Sequence, residues 1–199
     1  MLEDQDSKSS KQILKEILPD IFVDLKLAPS KFISKYWVIY NKKYGSVKSL
    51  NGKVFEGLIA AVLCREGIFP VYLQAKAAFI NGVDYDFIIY TEEFGPVSLS
   101  AKTSLRERWK QADLEALALK NIHRKSKSYL ITMDSSAATR RSADMSEVLG
   151  LDEFILASDQ KFDKLINKIK ILTLIEAPKV TTISSNMMLT KDNHVEYFS

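Results

Sequence analysis

The chain has 199 residues, 46% of them hydrophobic, with a formal net charge of +3, two histidines and one cysteine. That length and apolar content suit one domain with a sizeable core, and no apolar run approaches the ~18 residues of a membrane-spanning helix. The lone Cys64 excludes an internal disulfide framework, and His123 and His194 are too few and too far apart in sequence for a zinc site. The N-terminus is acidic and polar rather than signal-like, so a cytoplasmic protein with no membrane partner is expected. The mild positive charge permits a polyanionic partner without demanding one, so the placement of the charge must carry that argument.

Residues 1–10 are polar and expected to fray. From Gln12 to Leu27, Ile13, Leu14, Ile17, Leu18, Ile21 and Phe22 recur at helical spacing, and Pro19 should end or kink the segment. Phe32, Tyr36, Trp37 and Tyr40 mark a second helix or an extended aromatic segment over 31–40. Residues 41–45 (Asn-Lys-Lys-Tyr-Gly) read as a basic loop whose Lys42 and Lys43 are either solvated or in contact with phosphate. Asn51-Gly52 precedes a helix expected over 53–65, with Val54, Leu58, Ala61 and Val62 facing inward and Gly67 closing it. Glu56, in its first turn, suits the positive end of the helix dipole.

Phe69–Ile80 reads as the first strand. Asn81-Gly82, the signal of a type I′ hairpin turn, joins it to a second strand over Val83–Tyr90. Turn residues at 92–96 lead to a third, Val97–Lys102. Asp84 and Asp86 share strand parity, so both carboxylates are expected on one face, near Lys102. Ser104–Asn121 is a long helix with an apolar stripe of Leu105, Trp109, Ala112, Ala116 and Leu119. Residues 127–132 suit a strand parallel to the third. A small-residue loop over 134–145 carries Arg140-Arg141, and 152–157 make another strand. Ser158-Asp159 caps a helix with Phe162, Leu165, Ile166 and Ile169 in register. Residues 173–199 contain Pro178 and are expected as edge strands or a trailing arm. The expected fold class is α/β, a mixed central sheet flanked by helices. Within one domain, an N-terminal helical segment (1–50) packs on a core (51–172), followed by the C-terminal arm (173–199).

In Asp86-Phe87-Ile88-Ile89 and Ser100-Ala101-Lys102 the sequence resembles the PD-(D/E)xK nucleases, which include most type II restriction endonucleases. Their pattern is an acid at the end of an apolar strand, then a neighbouring strand ending in acid-any-Lys. Tyr85 takes the place of the proline and Ser100 that of the second acid. The segment Lys-Thr-Ser-Leu-Arg-Glu-Arg-Trp-Lys-Gln (102–111) is also similar to segments of bacterial restriction enzymes. The resemblance implies a restriction-endonuclease-like core. It further implies Mg²⁺-dependent, sequence-specific cleavage of double-stranded DNA by a homodimer, whose two-fold axis would match a palindromic site.

The resemblance also implies roles. Asp86 is the first metal ligand, and Asp84 is either a second ligand or a polar hairpin residue. Lys102 orients or deprotonates the attacking water and offsets charge. The Ala101 carbonyl can complete the coordination, and Glu56 matches a glutamate that many members send from the helix before the catalytic strands. Ser100, at the catalytic position, cannot replace a carboxylate's charge, and some restriction enzymes with Ser-any-Lys recruit an acid from the following helix. At ~100° per residue, Glu107 falls nearly opposite the apolar stripe of that helix and Glu115 on its flank, which makes Glu115 the better substitute. Arg106, Arg108 and Lys110 suit backbone contacts to a duplex, and Arg140 and Arg141 suit phosphate or base contacts. Both sets equally describe solvated charges. Three other readings stay open. They are a repair or junction-resolving nuclease of the same fold, a catalytically silent DNA-binding protein or nuclease subunit, and an interaction domain in which Asp86 and Lys102 are a structural ion pair.

Overall fold

Residues 8–45, 48–178 and 183–198 are described by the computed structural model. Helix α1 (Ser10–Ile17) begins in a capping box. The Ser9 hydroxyl accepts from the Gln12 N–H, and the Gln12 side chain accepts from the Ser9 N–H. Of the stretch expected to fray, Ser9 and Ser10 thus open a capped helix, and residues 1–7 lie outside the described residues. α1 ends at Ile17, two residues before Pro19, whose ring cannot continue a helix.

Helix α2 (Pro29–Tyr44) decides between the two forms open for the aromatic segment, and it absorbs the expected basic loop. Lys42 and Lys43 form its last turn, where cations suit the dipole, and Gly45 ends it with a positive φ of 62°. Lys43 pairs with Glu16 at 2.8 Å, fixing α2 to α1. Helix α3 (Lys48–Arg65) starts earlier than Asn51-Gly52, which lie inside it. Val54, Phe55, Leu58, Ile59, Val62 and Leu63 are all fully buried, so burial on every side overrides the turn signal.

The sheet runs β5–β4–β3–β2–β1, with β6 and β7 on the outer edge of β1. β1 (Val71–Ala77), β2 (Tyr85–Thr91) and β3 (Gly95–Lys102) form an antiparallel meander. β4 (Lys127–Thr132) runs parallel to β3, and β5 (Glu153–Leu156) parallel to β4. This is the mixed α/β architecture expected from the element pattern. Between β4 and β5, however, the expected loop is helix α5 (Ser135–Ala143), capped by Asp134 accepting from the Ala137 N–H at 3.1 Å. The β1–β2 connection is not a two-residue type I′ turn. It spans residues 78–84, with Phe79 and Gly82 at positive φ and Asn81 at none, so the φ pair that turn requires is missing.

The larger core lies on one face, where α3 packs with α1, α2 and α6 (Gln160–Lys170) over Phe87, Ile89, Leu99, Ala101 and Ile131. α4 (Arg108–Ile122) and α5 cover the other face through Leu105, Trp109, Leu119, Leu130 and Phe154. The C-terminal stretch supplies edge strands β6 (Ile183–Ser184) and β7 (Met187–Leu189) and the short helix α7 (His194–Phe198). β6 and β7 keep one continuous register against β1, interrupted at 185–186. That gap lies opposite Gln74, whose φ of +46° breaks the extended ladder.

Candidate active site

The antiparallel register pairing Phe87 with Leu99 brings Asp86 against Ser100, and the one pairing Leu73 with Phe87 brings Gln74 against Asp86. The row Gln74–Asp86–Ser100 thus crosses three strands. Asp86 Oδ2 accepts three bonds, from Lys102 Nζ at 2.9 Å, the Ala101 N–H at 2.8 Å and Ser100 Oγ at 3.3 Å. Both partners of the ion pair are largely withdrawn from solvent, with side-chain exposures of 16% for Lys102 and 10% for Asp86. Oδ1 stands outside this set of bonds.

Two further carboxylates attend this pair, one from each layer of helices. On the α3 side, Glu56 is held by the Gln74 amide, whose Nε2 donates to Oε2 at 3.1 Å. Burial, then the charge of Asp86, pushes the Glu56 carboxyl up to about 7, against the opposing pull of Lys102 and Lys53. On the α4 side, Glu115 accepts from Gln111 Nε2 at 2.8 Å. Burial raises its carboxyl, aided by Asp86 and Asp84 and opposed by Gln111 and Lys102. The Tyr85 hydroxyl donates to the Glu115 carbonyl at 2.9 Å and ties that turn of α4 to the start of β2. Three acids therefore bear on one lysine, and two of them hold protons more tightly than an ordinary glutamate.

Asp84 is placed differently from the parity argument. It precedes β2, its carboxylate is exposed, and it pairs with Lys76 at 3.8 Å. Alternation holds only along extended residues. Here it fails because Asp84 lies in the connection, and even within β2 Tyr85 and Phe87 pack into different core clusters. Glu107 sits at the start of α4, exposed and paired with Lys110 at 3.2 Å, in keeping with its position opposite the stripe.

Arg106, Arg108 and Lys110 are exposed at the β3–α4 junction. Arg106 and Arg108 line a groove of about 780 Å³ together with Trp37, Asn41 and Asn51. Asp134 steadies that junction by accepting from the Leu105 N–H at 3.3 Å while it caps α5. Arg140 is exposed in the last turn of α5. Arg141 is not on a loop. Its guanidinium packs 3.9 Å from the Trp109 ring centre and bonds Glu147 at 3.0 Å, so its charge is already engaged. Sequence reasoning missed Gln74 and Asp134. Asp134-Ser135-Ser136 carried a legible N-cap signal, whereas nothing local marks Gln74.

A cleft of about 390 Å³ opens beside the site and is floored by Glu56, Gln74 and Asp86. Among the described residues no group of three or more His, Cys, Asp or Glu side chains stands close enough to cage a metal. The donor set nevertheless fits Mg²⁺, which is held by one or two carboxylates and retains waters for its other positions. The Glu56 carboxyl is raised first by burial and then by the charge of Asp86, and a cation between the two would relieve that second part.

The structure is similar to that of restriction endonuclease PspGI in complex with substrate DNA. The TM-score is 0.60, over 97% of this chain and 88% of that one, at 20% sequence identity. At that identity the likeness establishes the fold, a restriction-endonuclease-like mixed sheet between helical layers. No family model matches the chain, and no curated protein matches it in sequence. Among the described residues no helix is long and apolar enough to cross a membrane.

Proposed function

We propose that this protein is a type II restriction endonuclease of the PD-(D/E)xK kind, cleaving double-stranded DNA at a short sequence in the cytoplasm as a homodimer that requires Mg²⁺. The observation that carries this reading is the Asp86–Lys102 pair at 2.9 Å on adjacent strands, flanked by two glutamates with raised carboxyls. A restriction-endonuclease-like fold supports it.

Asp86 and the Ala101 carbonyl, with Glu56 or Glu115, would hold the cation. When bound, Mg²⁺ supplies neutralisation of the phosphate's charge and favours ionisation of the attacking water. Lys102 stands where its ammonium orients that water and offsets charge that develops on the phosphate oxygens. Because Oδ2 of Asp86 is filled by Lys102, Ala101 and Ser100, the carboxylate is locked in one rotamer with Oδ1 directed away from them. Ser100 thus orients Asp86 instead of supplying the second charge. Glu115 is the better substitute for that charge, since it comes from the helix after Lys102 and is half-buried beside the pair, and Glu56 is the other. Arg106, Arg108 and Lys110 contact the DNA backbone, and Arg140 adds to that surface.

Purified protein should cut unmethylated viral or plasmid DNA into discrete bands with Mg²⁺ and leave it intact with EDTA. Ser100 also favours a second reading, a DNA-binding subunit without catalysis. A gel shift of the same DNA without any cutting would establish that one in place of the first.

A further inference from the structure

The cleft floored by Glu56, Gln74 and Asp86 has a second wall to which the proposed function gives no role. Lys11 and Leu14 of α1, Lys53 of α3 and Tyr197 of α7 form it. Lys11 Nζ lies 5.0 Å from the centre of the Tyr197 ring, a cation–π contact that holds the ammonium at the rim. Lys53 is exposed, and its charge bears on Glu56. The volume, about 390 Å³, falls in the range of roughly 300–1,000 Å³ usual for ligand clefts.

Electrostatics gives this wall a purpose. A phosphodiester backbone that approaches Asp86, Glu56 and Glu115 meets like charge, and the one lysine at the centre is committed to Asp86. Cations at the rim must offset that repulsion. On one side of α3 they are Arg106 and Arg108, in the groove that Asn51 borders. At ~100° per residue, Lys53 lies about 200° round the helix from Asn51, on the side of the catalytic cleft. The two grooves therefore flank the first turns of α3, and each has its own pair of basic residues.

We propose that the cleft seats the stretch of DNA backbone adjoining the cleaved phosphodiester, with Lys11 and Lys53 bonding its phosphate oxygens; this rests on the nuclease reading above. The contacts are independent of base sequence, and they position the scissile bond over Asp86 from the side opposite the arginine groove.

The test is binding of a short labelled duplex in EDTA across a salt series, read by fluorescence anisotropy. The proteins are wild type, Lys11→Ala/Lys53→Ala, Lys11→Arg/Lys53→Arg, and Arg124→Ala/Lys125→Ala. The last pair removes the same charge just before β4, at the other end of the sheet from Lys102. The Lys11→Ala/Lys53→Ala protein should bind more weakly on every sequence, with the slope of log affinity against log salt lower by about 2. The arginine pair should keep the wild-type slope, and the control should stay close to it. A wild type that binds DNA while the Lys11→Ala/Lys53→Ala protein matches the control overturns the cleft assignment alone. A wild type that neither binds nor cuts DNA overturns the nuclease reading and the cleft with it.

Discussion

Of the aspartates that accept backbone N–H groups, Asp113 and Asp86 do so for opposite ends. Asp113, on α4, is buried and receives the amides of Leu149, Gly150 and Leu151 on its two oxygens at 2.8–3.2 Å. Gly150 fits there because a Cβ would fall 2.1 Å from the Leu117 nitrogen and 2.3 Å from the Asp113 carbonyl oxygen. One turn thus satisfies one carboxylate, with every partner fixed by the backbone. Asp86 receives a single amide, a hydroxyl and a lysine, all on Oδ2, and shares its surroundings with two other acids. Asp113 thus has its lone pairs filled, whereas Asp86 is held through one oxygen, which leaves Oδ1 free for the role proposed above.

The largest expected effects separate these two regions. Asp86→Ala or Lys102→Ala should slow DNA cutting by roughly 10²–10⁴-fold with little loss of DNA binding or thermal stability. Near-wild-type cutting by either variant would remove the site assignment. Asp113→Ala should do the reverse, costing about 2–4 kcal/mol in a denaturant titration by stranding the buried amides of Gly150 and Leu151 and the half-buried one of Leu149, with activity per folded molecule unchanged. Gly150→Ala belongs with it, at about 1–3 kcal/mol, because backbone has to move to admit the methyl group.

Smaller effects sharpen the account of Asp86's company. Glu115→Ala should lower cutting by roughly 10²-fold if Glu115 supplies the charge that Ser100 lacks, and less than Glu56→Ala if Glu56 does. In metal-free protein Glu56 titrates at about 7 when folded, against 4.5 for a free carboxyl. Between those values the folded Glu56 binds more protons than the unfolded one, so its contribution to stability should be full below about pH 4.5 and lost as pH rises towards 7. That slope should flatten in Glu56→Gln, and thermal melts of both proteins across this window would measure it. A slope that survives Glu56→Gln belongs to some other group. Arg106→Ala and Arg108→Ala should each weaken DNA binding about equally on all sequences and reduce the salt slope by about 1.

The amino-acid sequence by itself determined the meander, the parallel β3–β4 pair and the apolar stripes of the major helices, whereas the parallel pairing of β5 with β4 came from the tertiary structure. The former depend on period, and period is local: Trp109, Ala112, Ala116 and Leu119 form a stripe in any protein that makes this segment helical. The helix starts at Arg108 and leaves Leu105, expected in it, before its first turn. It also supplied Asp86, Lys102, Glu56 and Glu115 as residues to bring together. Only the tertiary structure decided how they meet. Gln74 leaves the extended region where β1 passes from one core cluster to another, and its amide holds Glu56, while Asp84 falls in the connection before β2 and pairs with Lys76. Arg141 is taken up by Trp109 and Glu147, and Lys43 by Glu16, through contacts between separate elements that no local pattern encodes. Whether a charge is a ligand or a brace depends on which neighbours share its desolvation, and packing alone sets those neighbours.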